Sequence, residues 1–282
     1  MKTLLRTALL ASLEAGEEIM HIYTDPKQDF GIEKKADNSP LTLADKASHQ
    51  VIMRHLLTTD IPVLSEEGQH LPYEQRETWE RLWVVDPLDG TKEFIKKNGE
   101  FTVNVALVEH GSPVMGVVYV PATRMLYYGI VGEGAWKCVV PTLSDGLPAP
   151  ENLADFLSLC GQSEQESPFG GIALPVEGEH DVFTIVASRS HMSSETQAYI
   201  QEMEQLHGWV KTVSSGSSIK ICLVAEGVAD AYPRYAPTME WDTAAGDAVA
   251  RAAGKVVTSA ETGKPLVYNK PDLHNPWFLV ES

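Results

Sequence analysis

The stretch from residue 101 to 140 leaves this chain few choices of fold. FTVNVALVE puts Phe101, Val103, Val105 and Leu107 on one face of an extended segment, and Gly111-Ser112-Pro113 turns the chain. VMGVVYV, a turn at Pro121-Ala122-Thr123-Arg124, MLYYGI, a turn at Gly132-Glu133-Gly134 and AWKCVV continue the arrangement. Strand-length apolar segments separated by turn residues predict an antiparallel meander. Such a sheet needs its apolar faces covered, and 282 residues suffice for one large domain or two closely packed ones.

The flanks supply the cover. Leu5, Leu9 and Leu13, with Ala8, Ala11 and Ala15, recur at helical spacing, predicting a helix over about residues 3 to 23. The same segment faintly imitates a signal peptide, but Arg6 splits its apolar run and Glu14 closes it. A second helix is expected to begin near Thr42 in LTLADKASHQVIMRHLL, and IPVLSEEG and RLWVVDPLDG read as strands ending in acid. Residues 141–181, rich in Pro, Gly, Ser and Glu, read as a connection or surface insertion with a short helix around Ala154 to Leu159. Beyond them FTIVAS, WVKTVS, ADAYPRY and KVVTS read as strands. Helices are expected over Glu195 to Leu206, capped by Ser194 with Gln197, and over SIKICLVAEGVA and WDTAAGDAVARAAG. The expected organisation is an N-terminal α+β half over 1–140, a connecting segment over 141–181 and a C-terminal α/β half over 182–282.

Charge and cysteine usage restrict the function. With 22 basic against 39 acidic residues the net charge is −17, which disfavours nucleic acid polymers and anionic membranes as partners. It also requires that any phosphate-bearing substrate meet local positive charge. Cys138, Cys160 and Cys222 are widely spaced, form no C-x-x-C and read as free thiols in a reducing cytoplasm. No apolar run of about 18 residues exists, so no transmembrane segment is expected.

Against that background, acids recur where apolar strands end or helices begin: Glu66 and Glu67 in LSEEG, Asp86 and Asp89 in WVVDPLDGT, Asp242 in WDTAAG, and Asp45 in LTLADK. Asp-Pro and Asp-Gly are ordinary turn dipeptides, so DPLDGT taken alone is equally a turn. Gathered carboxylates repel one another unless cations neutralise them. Oxygen-only ligands, with no adjacent His or Cys, point to hard ions such as Mg²⁺ or Mn²⁺. Residues i and i+3 of a strand share a face only if the chain turns between them. Pro87 is expected to bend it, letting Asp86 and Asp89 converge with the Leu88 carbonyl between them. Gly90 permits a tight turn, and Thr91 opens a helix in TKEFIKK whose free N–H groups suit a phosphate. Phosphatases that form an aspartyl-phosphate carry D-x-D-G-T; the D-x-x-D-G-T spacing here moves that nucleophile out of register. Hydrolysis by a metal-activated water is the better reading.

LSEE, WVVDPLDGT and WDTAAGDA, in that order, resemble the lithium-sensitive, magnesium-dependent phosphatases of the inositol monophosphatase superfamily, across nearly the whole chain. GTKEFIKKNGEFTVNVALVEHG, ASRSH, SSGSSIKICLVAEG and AYPRYAPTMEWDTAAG are similar to the bacterial CysQ-type 3′(2′),5′-bisphosphate nucleotidases. That resemblance implies a layered αβαβα sandwich with the site between its halves. It implies removal of the 3′-phosphate of adenosine 3′,5′-bisphosphate, or of its sulfated precursor, in the cytoplasm during sulfate assimilation. The resemblance also allows a peripheral position on the cytoplasmic face of the inner membrane.

The implied roles fall on particular residues. Glu66, Asp86 and the Leu88 carbonyl would hold one Mg²⁺, and Asp86, Asp89 and Asp242 a second, with Mn²⁺ as a substitute; Asp45 would serve a third ion or its water. Thr91, with Glu66 or Asp45, would orient the attacking water, and the amides of Gly90 and Thr91 would receive the phosphate. Ser188, Arg189, His191, Gly216, Ser217, Lys220 and Arg234 are the nucleotide-binding candidates, with Asp242 bordering the substrate. The partner is a small nucleotide bisphosphate, and the protein a monomer or homodimer.

Blander readings stand beside these. Asp242 can be the N-cap of its helix, with or without a metal role. Asp45 can be a helix-surface charge, Lys220 a solvated lysine on a core helix, and Arg189 and His191 part of a polar loop. An inositol phosphate or fructose 1,6-bisphosphate phosphatase would keep the same metal site. A regulator that binds metal and nucleotide without catalysis would have no need to retain Thr91 and Glu66.

Overall fold

The computed structural model describes residues 1–26, 30–34, 40–69, 71–141, 167–176, 182–187 and 192–282. Its centre is a seven-stranded sheet: β3 (Val63–Ser65), β4 (Arg81–Asp89), β5 (Thr102–Glu109), β6 (Ser112–Val120), β7 (Met125–Ile130), β8 (Gly134–Val139) and β9 (Ile172–Leu174), in that spatial order. The expected meander is β5 to β8, and β3 joins β4 in parallel. β9 corrects the reading of residues 141–181 as connection alone, because Ile172–Leu174 pairs antiparallel with β8 and Phe169 is buried in the core. The helix expected around Ala154 to Leu159 lies outside the described residues.

Alternation sorts the strand residues to two cores, as period-2 side chains require. Trp83, Val85, Phe101, Val103, Val105 and Leu107 meet α1 (Lys2–Thr24) and α2 (Leu43–Leu56) on one face. Leu82, Val84, Ala106 and Val108 meet α6 (Ile219–Glu226) and α7 (Glu240–Ala252) on the other. Gly116 admits α7 closely: a Cβ there would come within 2.2 Å of the Ala245 carbonyl oxygen.

Helices α6 and α7 separate this sheet from a second, five-stranded one, ordered β11 (Lys211–Val213), β10 (Thr184–Val186), β12 (Ala231–Arg234), β14 (Phe278–Glu281), β13 (Val256–Ser259). The last helical layer is α5 (Ser194–His207), whose Tyr199, Ile200 and Met203 pack over Ile185, Val210 and Ala231. The layers therefore run αβαβα. β1 (Glu33–Lys34) and β2 (Pro40–Leu41) form a small separate ribbon, and α3 (Tyr73–Arg76) and α4 (Thr91–Ile95) are single turns. Strands β10, β11 and β12 are parallel, so the loops following them leave the sheet at one end, where α/β folds place ligands.

Two caps differ from expectation. α5 is capped by Ser193, one residue earlier than expected, its Oγ accepting from the Thr196 N–H at 3.2 Å. Asp242 is not an N-cap: Met239 holds that position, and Asp242 is the third helical residue, its Oδ2 accepting from the Met239 N–H at 2.8 Å. α6 stops at Glu226 because Gly227 takes a left-handed conformation (φ +83°), which closes the helix and turns the chain.

Candidate active site

The WVVDPLDGT stretch is strand β4 and the turn that follows it, and pairing with β5 explains its acids. Asp86 lies opposite Asn104 and Asp89 opposite Thr102, so three steps on β4 match two on β5. One extra residue is a β-bulge, which brings positions i and i+3 to one side. The Asp86 Oδ1 accepts from the Leu88 N–H at 3.0 Å inside the bulge, and Ser48 Oγ of α2 donates to the Pro87 carbonyl at 2.6 Å. Turn chemistry is thus the means by which two carboxylates converge.

From the other side α7 points its first turn at the bulge. One carboxylate oxygen from each of Asp86, Asp89 and Asp242 lies within 4.8 Å of the other two. Glu66, placed by the end of β3 and by its N–H bond to the Val85 carbonyl (3.1 Å), brings its carboxyl within hydrogen-bonding reach of Asp86. Burial, then the charges of Glu66, Asp89 and Asp242, push the Asp86 carboxyl well above the usual carboxylate range. Burial and the Asp89 charge push Asp242 up to about 8, against the opposing pull of the Met239 N–H. None of the ion pairs among the described residues involves these three aspartates. Three converging carboxylates, Asp86 buried and none of the three in an ion pair among the described residues, fit a hard divalent cation.

Asp45 belongs to the same constellation and is buried, not a helix-surface charge. Its Oδ2 accepts from the Thr42 N–H (2.7 Å) and Thr42 Oγ1 (2.5 Å), closing the capping box of α2, while Oδ1 faces Thr91 Oγ1 at 3.1 Å. The Thr91 hydroxyl also lies 3.3 Å from the Leu88 carbonyl, so the bulge, the capping box and Thr91 meet at one point. Gly90 supplies the left-handed turn (φ +93°) that starts α4 at Thr91.

A cleft of about 610 Å³ is lined by Asp89 and Asp242 together with Thr91, Ser217, Lys220 and Arg234. Lys220 is buried rather than solvated. Its Nζ donates to the Ser217 carbonyl at 2.7 Å and lies 5.9 Å from the Tyr232 ring centroid. Burial lowers its pKa to about 8, opposed by the Asp89 charge. The Ser217 hydroxyl and Arg234 Nε are buried without partners, as groups reserved for a ligand would be. Gly216 is required sterically, because a Cβ there would sit 2.7 Å from the Glu100 carbonyl oxygen. Glu66, Asp89, Gly90, Thr91, Gly216, Ser217, Lys220, Arg234 and Asp242 therefore line one cleft, with Asp45, Asp86 and Leu88 buried against them. Ser188, Arg189 and His191 lie outside the described residues.

Two polar residues escaped the sequence reading. Ser218 donates its N–H (2.7 Å) to Asp89 Oδ2, with its Oγ at 2.8 Å from the same oxygen; Asn104 Nδ2 donates to Ser218 Oγ at 2.8 Å. Asn104 alone carried a signal, the one polar residue in the run Val103 to Val108.

The sequence pattern of the inositol monophosphatase family matches residues 1–277. The chain belongs to the inositol monophosphatase family. Within that family it is 45% identical over 269 residues to the 3′(2′),5′-bisphosphate nucleotidase CysQ of Escherichia coli strain K12, covering 94% of each chain. It is 37% identical over 257 residues to the enzyme of the same name from Buchnera aphidicola, covering 90% of this chain and 83% of that one. The crystal structure of CysQ from Bacteroides thetaiotaomicron, itself described as a bacterial inositol monophosphatase family member, superposes with a TM-score of 0.86 at 51% identity, covering 100% and 98% of the two chains. SuhB of Bartonella henselae shares the family fold at 21% identity, with a TM-score of 0.70 over 99% and 94% of the chains.

Proposed function

We propose that this protein is a Mg²⁺-dependent 3′(2′),5′-bisphosphate nucleotidase that removes the 3′-phosphate of adenosine 3′,5′-bisphosphate, or of its sulfated precursor, leaving the 5′-phosphate in place. The observation that carries this reading is the convergence of Asp86, Asp89 and Asp242, the last two lining a cleft that Lys220 and Arg234 also line. Acidic and basic groups in one cleft suit a substrate with two phosphates, one at the reacting centre and one held away from it. The similarity to CysQ proteins supports the nucleotide over a sugar phosphate.

Glu66, Asp86 and the Leu88 carbonyl would hold one ion, and Asp86, Asp89 and Asp242 a second. Bound there, such ions would supply positive charge for the phosphoryl oxygens and acidify a water. The chain's own residues do the rest. Thr91 Oγ1, its hydrogen directed at Asp45 Oδ1, has lone pairs free to accept from the attacking water and so fixes its direction. The water oxygen bonds to phosphorus as the bond to the ribose 3′-oxygen breaks and that oxygen gains a proton; inorganic phosphate leaves, with AMP from adenosine 3′,5′-bisphosphate or adenosine 5′-phosphosulfate from its sulfated precursor. The first-turn amides of α4 lack intrahelical acceptors and face the phosphoryl group. Lys220, Arg234 and Ser217 take the 5′-phosphate and sugar.

The substrate is a small molecule, and among the described residues no helix is long and apolar enough to cross a membrane. The test compares kcat/KM for adenosine 3′,5′-bisphosphate, inositol 1-phosphate and fructose 1,6-bisphosphate at equal Mg²⁺, with and without lithium. A preference of 100-fold or more for the nucleotide, inhibited by lithium, is expected; preference for either sugar phosphate sinks the assignment of Lys220 and Arg234.

A further inference from the structure

Ser218 caps α6 by position but not by chemistry. An N-cap serine ordinarily turns its oxygen to the N–H groups of the helix it precedes. Here the backbone takes φ −68° and ψ −7°, and the side chain makes no capping bond. The hydroxyl points instead between the two halves of the carboxylate site, 2.8 Å from Asp89 Oδ2 and 2.7 Å from the main-chain carbonyl of Asp242. It has one hydrogen for two acceptors, and Asn104 Nδ2 donates to it from behind at 2.8 Å.

Asn104 is itself unusual. It is 1% exposed, stands opposite Asp86 across the ladder, and its Oδ1 is buried without a partner. A buried amide that leaves its oxygen unpaired is retained for its donor end. The second Nδ2 hydrogen lies toward Asp89 Oδ2 at 3.5 Å. Asp89 Oδ2 thus takes the Ser218 N–H at 2.7 Å as well as the hydroxyl, leaving Oδ1 as the oxygen to face an ion. The chain Asn104–Ser218–Asp242 carbonyl links β5, α6 and α7, the elements that hold Asp86 through its pairing and Asp89 and Asp242 directly.

We propose that Ser218, braced by Asn104, is a positioning residue that fixes Asp89 and the first turn of α7 in one geometry and so sets the affinity of the metal site. This rests on the metal-dependent reading above. Partners that orient a metal ligand in this way typically change affinity about 10- to 100-fold when removed.

Ser218→Ala loses no capping bond and keeps the backbone N–H bond to Asp89, while it leaves the buried Asn104 Nδ2 without its nearest acceptor. Mn²⁺ is the probe, its free fraction read by electron paramagnetic resonance without substrate, beside thermal unfolding in chelator. Ser218→Ala should weaken Mn²⁺ binding about 10-fold or more and raise the Mg²⁺ concentration for half-maximal activity in parallel, with kcat at saturating Mg²⁺ largely retained. Its Tm in chelator should fall by only a few degrees, the cost of the unpaired Asn104 donor; Ser218→Thr should recover most of the affinity, and Asn104→Ala should weaken binding in the same direction. Wild-type affinity in Ser218→Ala, or a loss of Tm in chelator with no loss of Mn²⁺ affinity, overturns the inference alone. A wild-type protein that leaves all Mn²⁺ free overturns the metal reading and this inference with it.

Discussion

Replacing Asp242 by asparagine should make the metal-free protein more stable, although most substitutions at buried positions destabilise. In the folded chain Asp242 is pushed up to about 8 by burial and by the Asp89 charge, against an ordinary 3.8. The unfolded chain therefore releases this proton first. Between about pH 4 and pH 8 the folded state holds one more proton than the unfolded state, and stability falls as pH rises through that window. At about 1.36 kcal/mol per pH unit, the cost is on the order of 4 kcal/mol at pH 7 and considerably smaller at pH 5. Asparagine has no proton to retain, and its oxygen can still accept from the Met239 N–H. For a chain of this size the gain corresponds to a Tm higher by on the order of 10 °C at pH 7, shrinking on acidification. The assay is thermal unfolding of both proteins in chelator at pH 5 and pH 7. Mg²⁺ should raise the Tm of wild type by more than that of Asp242→Asn, which keeps Glu66, Asp86 and the Leu88 carbonyl for one ion but loses a ligand of the other. A variant no more stable than wild type at pH 7, or equally shifted at both pH values, would refute the view of Asp242 as a ligand held against its own charge.

Three further outcomes follow from the same geometry. Thr91→Ala should lower kcat by about 100-fold or more while leaving Mn²⁺ binding intact, since the hydroxyl directs a water and not an ion; steady-state kinetics beside a binding titration check this. Lys220→Met should raise KM about 10- to 100-fold, the worth of a charged hydrogen bond. Wild-type KM should climb as pH rises through about 8, where Lys220 loses its charge, and the variant should show no such climb. Gly216→Ala forces a methyl within 2.7 Å of the Glu100 carbonyl oxygen and 2.9 Å of its Cβ, so the loop must move. Urea unfolding should show a loss of about 1–3 kcal/mol, with a weaker Mg²⁺ response as Ser218 shifts from Asp89.

Much of this site is legible in the sequence of residues alone. The meander shows in the alternation from Phe101 onward, and the acids at strand ends announce a cation because charge is costly where apolar runs stop. What stays hidden is whatever a distant partner decides. Pro87 suggests a bend, but the extra residue that aligns Asp86 with Asp89 appears only once β4 is paired with β5. Asp242 reads as a cap because Met239, the true cap, has none of the usual side-chain chemistry. The loop SSGSS offers four serines, and only the docking of α6 selects Ser218 to meet Asp89. Ile172–Leu174 and Phe278–Glu281 are short strands whose pairing comes from established neighbours rather than from their own pattern.

Metal-dependent removal of the 3′-phosphate is tested most directly by ³¹P nuclear magnetic resonance of adenosine 3′,5′-bisphosphate incubated with the protein, with and without Mg²⁺. The 3′-phosphate resonance should give way to inorganic phosphate while the 5′ resonance persists. This should occur only with Mg²⁺, and not with Asp86→Asn. Loss of the 5′ resonance, or release that proceeds in chelator, would contradict it.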